Sequence, residues 1–136
     1  MRVMAIDYGD ARTGIAVSDL LASLCGDAFT IAEWDPVRLS QRIAQEVRSR
    51  GVERLVLGLP RNMDGTEGPR AEKTRAFQKL LEAETGLEVQ LWDERRTSVD
   101  AHQILHAAGK KARQHKRQVD AVAASLILEA YLGTLH

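Results

Sequence analysis

The sequence predicts a three-layer α/β fold: a mixed β-sheet, part antiparallel and part parallel, with helices on both of its faces. Three observations predict it. Two short apolar segments, Arg2 to Ile6 and Thr13 to Ser18, are joined by the tight connection Tyr8-Gly9-Asp10-Ala11, which suits an antiparallel hairpin. Two later apolar strands each follow a helical segment, and strand–helix–strand units of this kind pair their strands in parallel. The chain has 136 residues, 44% of them hydrophobic and 28% charged, enough for one core in a single domain spanning residues 1–136.

Each element follows from local signals. A weaker third strand is expected at Ala28 to Ala32. Asp35-Pro36 then reads as an N-cap followed by proline at the first helical position. Val37, Ile43, Ala44 and Val47 continue with helical spacing until Gly51 stops the element. Arg54 to Leu57 is a compact strand ending at Gly58-Leu59-Pro60. The loop from Arg61 to Gly68 carries the turn pair Asp64-Gly65; its Asn62-Met63-Asp64-Gly65 stretch receives no role from sequence. A charged amphipathic helix is expected from about Arg70 to Glu84, with Gly86 as its stop. Leu87 to Trp92 is the last strand. Ser98 caps a helix ending near Gly109, and Val119 to Leu132 forms the final helix, apolar nearly all round. The order is βββ-α-β-α-β-α-α.

Formal net charge is zero, so a nucleic-acid partner has to be argued from charge placement rather than from total charge. The single cysteine, Cys25, excludes an intramolecular disulfide and reads as a buried thiol in a reducing compartment. No apolar run reaches bilayer length and no signal-peptide pattern opens the chain. The expectation is a cytoplasmic protein with no membrane partner.

Ligand sites in such sheets lie outside the carboxyl ends of the parallel strands. Those ends are Asp7, Gly58 to Pro60, and Asp93-Glu94. Asp7 caps a buried strand although aspartate is disfavoured in strands; it serves either as a site residue or as the anchor of the following turn. Asp93 and Glu94 point to opposite sides of an extended chain, so either could share a rim with Asp7. Asp120, in the first turn of the final helix, is a third candidate, although an acid there also complements the helix dipole. Glu129 lies about half a turn round the axis from it and is expected to face solvent. Three carboxylates at one rim would repel one another unless a cation neutralised them, and hard oxygen ligands suit Mg²⁺ or Mn²⁺. Such a cluster meets the requirements of in-line phosphodiester cleavage.

Lys110, Lys111, Arg113, Lys116 and Arg117 form a basic strip before Asp120. It is either a solvated connection between helices or a backbone-holding strip leading to a metal ligand. Arg12 and the Arg95-Arg96 pair add positive charge at the same edge. Aromatics make up only 4% of the chain, so recognition is expected to be of backbone and shape rather than of stacked bases. His102 and His106 have i, i+4 spacing but lack the accompanying ligands of a zinc site.

Four motifs resemble one family in its own order. They are Ala5-Ile-Asp-Tyr-Gly-Asp-Ala-Arg-Thr-Gly-Ile-Ala-Val-Ser-Asp19, Val56-Leu-Gly-Leu-Pro-Arg-Asn-Met-Asp-Gly-Thr-Glu-Gly68, Trp92-Asp-Glu-Arg-Arg-Thr-Ser98, and Lys110-Lys-Ala-Arg followed by Val119-Asp-Ala-Val-Ala-Ala-Ser125. Together they resemble the YqgF/RuvX proteins, known as pre-16S ribosomal RNA nucleases or Holliday-junction resolvase-like proteins. The resemblance implies an RNase H/RuvC-like fold with a five-stranded sheet. It implies Asp7, Glu94 and Asp120 as catalytic residues and ligands of one or two Mg²⁺ or Mn²⁺ ions, choosing Glu94 over Asp93. It implies hydrolysis of structured RNA in maturation of the small-subunit ribosomal RNA. Substrate would be held by Arg12, Arg95, Lys110, Lys111, Arg113, Lys116 and Arg117. Two departures are Ala11, where many members carry lysine, and Thr13, where isoleucine is common; the first thins the positive charge at that loop.

Other readings compete. A resolvase acting on four-way DNA is expected to work as a two-fold dimer, and the sequence leaves monomer and homodimer both open. A non-catalytic nucleic-acid-binding module would gain nothing from three acids facing phosphates. A phosphotransferase of the actin/hexokinase type closes two such domains around ATP, whereas this chain supplies one.

Overall fold

The structure is a computed structural model that describes residues 1–94 and 112–135; of residues 112–120 only the helical backbone is described. The elements are β1 (Arg2–Asp7), β2 (Arg12–Ser18), β3 (Cys25–Ala32), α1 (Pro36–Arg50), β4 (Val52–Leu59), α2 (Pro69–Thr85), β5 (Val89–Asp93) and α3 (Ala112–Gly133). The five strands form one sheet in the order β3-β2-β1-β4-β5. β1 pairs antiparallel with β2 and parallel with β4. β2 and β3 pair antiparallel, and β4 and β5 pair parallel. The sheet is thus mixed, as expected.

Alternation along the strands divides the core in two. Met4, Ile6, Ile15, Leu55 and Leu57 pack beneath α1 and α2 with Leu39, Ile43, Phe77 and Leu81. Val3, Ala5, Ala16 and Val56 face the other way and pack with Ala124, Ile127, Leu128 and Tyr131 of α3. The α3 side is built from small residues. Ala5, Ala16 and Ala124 are each fully buried, and short side chains on both surfaces let the helix lie close to the sheet.

Helix boundaries follow the chain's signals. Asp35 accepts a hydrogen bond from the Val37 amide, with Pro36 in the first turn, and Gly51 closes α1 at φ 66°. Gly86 closes α2 at φ 71°. In both cases the left-handed conformation is one that glycine adopts without a Cβ clash.

Four boundaries differ from expectation. β3 begins three residues early, at Cys25, because it is an outer strand paired only with β2 and tolerates polar, exposed residues. β4 runs from Val52 to Leu59 and β5 begins at Val89. The last helix begins at Ala112 rather than Val119, so Arg113, Lys116 and Arg117 lie on a helix and not in a connection. It buries one face, and Glu129 is exposed as expected. Cys25 is half-buried, not buried, with Sγ 3.5 Å from the Asp27 carbonyl oxygen and 3.8 Å from Ser125 Oγ. The helix expected from Ser98 to Gly109 lies outside the described residues. Among the described residues, no helix is long and apolar enough to cross a membrane.

Ala5→Leu should force α3 off the sheet. Overpacking of this kind costs about 1–3 kcal/mol, to be read as a lower urea midpoint with an unchanged slope.

Candidate active site at the carboxyl end of β1

β1 ends at Asp7, and its alternation puts Asp7 on the same face as Val3 and Ala5, the face covered by α3. Asp7 pairs with Gly14 of β2. On the other side Ile6 pairs with Leu57, so the next residue of β4, Gly58, flanks Asp7. Gly14 shares a face with Ala16, and Gly58 shares one with Val56, both on the α3 side. The Asp7 carboxylate therefore stands between two glycines, one on each neighbouring strand. Neither sends a side chain onto the surface beside it.

One of those spaces is used. A methyl group on Gly58 would stand 2.6 Å from Glu94 Oε1, 2.8 Å from Glu94 Cγ and 2.8 Å from Ile127 Cδ1. The Glu94 side chain thus folds back over β4, one strand away from Asp7, where neighbouring strands lie about 4.8 Å apart. The strand pattern explains why Glu94 does this and Asp93 does not. Leu91 packs with the α1/α2 core and Trp92 with the α3 core, so Asp93 belongs to the first face and Glu94 to the second.

α3 runs antiparallel to β1. Near its C-terminus the Tyr131 hydroxyl accepts a hydrogen bond from Arg54 Nη1 at 2.9 Å, close to the start of β4. Ala124 packs in the same cluster as Ala5. Position 120 lies one turn earlier, about 6 Å along the axis. Asp7 lies two strand residues beyond Ala5, about 6.6 Å along the sheet in the same direction. Residue 120 therefore lies on the helix that packs against the Asp7 face of the sheet; the Asp120 side chain is outside the described residues. Among the described residues, no three of His, Cys, Asp and Glu form a group that could hold a metal ion. Of the three expected carboxylates, Asp7 and Glu94 belong to the same face of the sheet.

Arg12 is half-buried and opens β2 two residues before Gly14. It is thus a diagonal neighbour of Asp7 on the same face. Arg113, Lys116 and Arg117 are helical positions whose side chains are not described, and Arg95, Lys110 and Lys111 fall wholly outside the described residues.

Two loops frame the rim. In the β1–β2 loop, a Cβ on Gly9 would meet the Arg12 carbonyl oxygen at 1.9 Å, a close approach that only glycine permits. Thr13 is fully buried, and its hydroxyl accepts from the Gly9 amide at 3.2 Å. The threonine that departs from the common isoleucine is therefore a staple for this loop. Arg70 of α2 ties the loop from outside, donating to Asp10 Oδ1 at 2.7 Å and also to the Tyr8 carbonyl.

The second loop follows β4. Asn62 donates to Thr66 twice, from its backbone amide to the carbonyl and from its side-chain amide to the hydroxyl, and Asp64 Oδ1 accepts from the Thr66 amide and hydroxyl. Arg75 holds Glu67 through two bonds of 2.7 and 2.8 Å. That hydrogen bonding, with Arg61 nearby, lowers the Glu67 carboxyl below its ordinary value. Met63 is left 86% exposed at the tip of this cross-linked loop. Sequence had marked the turn but not its rigidity.

Thr13→Val keeps the shape and removes the staple. Leaving the half-buried Gly9 amide without its acceptor should cost about 0.5–1.5 kcal/mol, seen in urea unfolding together with faster amide exchange at Gly9.

Residues 1–134 match the family described as RuvX, Holliday junction resolvase. A protein of Pelotomaculum thermopropionicum named "Putative pre-16S rRNA nuclease" is 41% identical over 135 residues, covering 98% of this chain and 88% of the relative. One of Moorella thermoacetica with the same name is 42% identical over 135 residues, covering 99% and 96%. Among solved structures, T. thermophilus RuvC in complex with a Holliday junction substrate superposes with a TM-score of 0.62 at 16% identity, covering 98% of this chain and 97% of that one. That likeness shows a RuvC-type, RNase H-like fold. With a family match over nearly its whole length and curated relatives above 40% identity, the chain belongs to the RuvX family of nucleases.

Proposed function

We propose that this chain hydrolyses phosphodiester bonds in structured nucleic acid with the help of one or two divalent cations, Mg²⁺ or Mn²⁺, held by Asp7, Glu94 and Asp120. The observation that carries the proposal is the surface around Asp7. A carboxylate stands between Gly14 and Gly58, with a second carboxylate laid over Gly58. A core-filling role would not need two glycines beside an acid, and two carboxylates side by side are a hard, all-oxygen donor set that fits such cations. When bound, the cation supplies positive charge that favours deprotonation of the attacking water and stabilises the leaving oxygen.

The chain's own groups do the rest. Asp7 and Glu94 would hold the cation from the sheet side, and without it they repel a phosphate. Arg12, diagonal to Asp7, offers its guanidinium to a phosphate oxygen. Arg95, Lys110, Lys111, Arg113, Lys116 and Arg117 hold the flanking backbone. Water contributes the new oxygen–phosphorus bond, and the old bridging oxygen leaves with a proton.

The relatives' names support the precursor of 16S ribosomal RNA as the substrate, and on that reading the chain would act in ribosome biogenesis in the cytoplasm. A second reading, cleavage of four-way DNA, is favoured by the family's description and by the junction bound in the RuvC structure. A symmetric junction would call for a homodimer; a ribosomal RNA end would not.

Two variants test the chemistry. Wild-type protein should cut either a precursor ribosomal RNA fragment or a synthetic junction in Mg²⁺ or Mn²⁺, and neither in chelator. Asp7→Asn should lose about a thousandfold in rate, several kcal/mol of transition-state stabilisation, with its circular dichroism unchanged. Undiminished cleavage would remove Asp7 from the mechanism. Gly58→Ala is the complementary test, because the atoms in the way belong to the Glu94 and Ile127 side chains, which can yield. The fold should survive at a cost of about 1 kcal/mol while cleavage falls at least about tenfold as the Glu94 carboxylate is displaced. Full activity would show that the position of Glu94 over Gly58 is immaterial.

A further inference from the structure

Asp7 and Tyr8 are consecutive, so they face opposite sides of the sheet. The Tyr8 side opens into a cleft of about 520 Å³ between the β1–β2 loop, the start of α1 and the outer turns of α2. Three aromatic residues meet there from distant parts of the chain. Tyr8 stacks on Phe77 with ring centroids 4.2 Å apart and planes 5° from parallel. Trp34, also lining the cleft, is 76% exposed.

Trp34 is not on a loose tail. Glu33 Oε2 accepts from the amides of Trp34 and Asp35 at 3.1 and 3.2 Å, and Asp35 caps α1. The backbone is tied while a large apolar ring is held in water, which forgoes the stabilisation of burying it.

The charged residues lining the cleft, Asp10 and Lys73, balance one another. Asp10 is the acid lining the cleft, and two cations answer it: Arg70 Nη1 at 2.7 Å and Lys73 Nζ at 3.8 Å. The Lys73 side chain is 63% exposed, which leaves its ammonium available to a second anion. The Arg70 guanidinium also lies 5.3 Å from the Tyr8 ring centroid.

From this geometry we propose that the cleft receives an unpaired nucleobase of the substrate strand, stacked against Trp34, with the adjoining phosphate on Lys73. An aromatic face accepts any base, and a flanking cation tracks the backbone. The cleft opens at the carboxyl end of β1, the end that carries Asp7, so a strand cut at Asp7 can reach it within a few nucleotides. The inference rests on the nuclease reading and adds a single-stranded segment to its substrate.

Binding alone tests it. The probe is a synthetic single-stranded RNA of about ten nucleotides, within the span such sites cover, titrated into the full chain in chelator. Tryptophan emission should be quenched saturably, and Trp34→Phe, which keeps Trp92 and a stacking ring, should lose the quench but most of the affinity should remain. Trp34→Ala should bind about tenfold more weakly, as expected for one lost stacking contact. An abasic strand of equal length should bind wild type and Trp34→Ala alike. Equal affinity of wild type and Trp34→Ala for the ordinary strand would overturn the proposal. So would self-association of wild type without RNA that Trp34→Ala abolishes, which would assign the cleft to a second copy. No turnover is involved, so the two readings fail separately. An intact quench with a wild type that cuts neither substrate in Mg²⁺ or Mn²⁺ sinks the nuclease reading. A missing quench with a wild type that cuts sinks only the cleft.

Discussion

The close seating of α3 on the sheet is the constraint on which the site depends. Ala5 and Ala16 on the strands and Ala124 on the helix allow a short separation, and the same face continues outward to Gly14, Asp7 and Gly58. Larger residues at the alanines would lift the helix from the face that carries Asp7. The packing core and the acidic surface are one run of strand residues, small where the helix lies and smaller still where the carboxylate must stand clear. The apolar half is held by burial. The polar half is placed by the same alternation.

Much of this was legible in the chain. Asp35-Pro36 and Gly51 bounded α1 because capping and left-handed closure are local chemistry. Gly58 and the acids at the strand tips stood out because they interrupt apolar runs. Other features left no local trace. Residues 112 to 118 carry no apolar period, so the early turns of α3 looked like a connection. Cys25-Gly26-Asp27 reads as a turn and is the start of an outer strand. Spacing could not choose between Asp93 and Glu94. The choice follows from which core Leu91 and Trp92 join, a matter of sheet register, and it agrees with the residue that family resemblance selects.

The aromatic residues teach a related lesson. A low overall share suggested that stacking would contribute little, yet composition counts residues without locating them. Tyr8, Trp34 and Phe77 are separated by dozens of positions and converge only because β1, the start of α1 and α2 meet at one end of the sheet. Charge behaves in the same way. A net charge of zero conceals where individual charges fall, such as Arg70 and Lys73 converging on Asp10.

The adjacency of Asp7 and Tyr8 makes β1 unusually intolerant of changes in length. A strand has a period of two, so inserting or deleting one residue before Asp7 would exchange the two positions. An aromatic ring would then sit between the glycines and a carboxylate would turn toward Phe77. Lineages can vary the outer strand and the loop tips in length, but between Arg2 and Tyr8 they can substitute and not count differently. The spacing of this short segment is therefore an inherited measurement, fixed by two neighbours that need opposite sides of the same sheet.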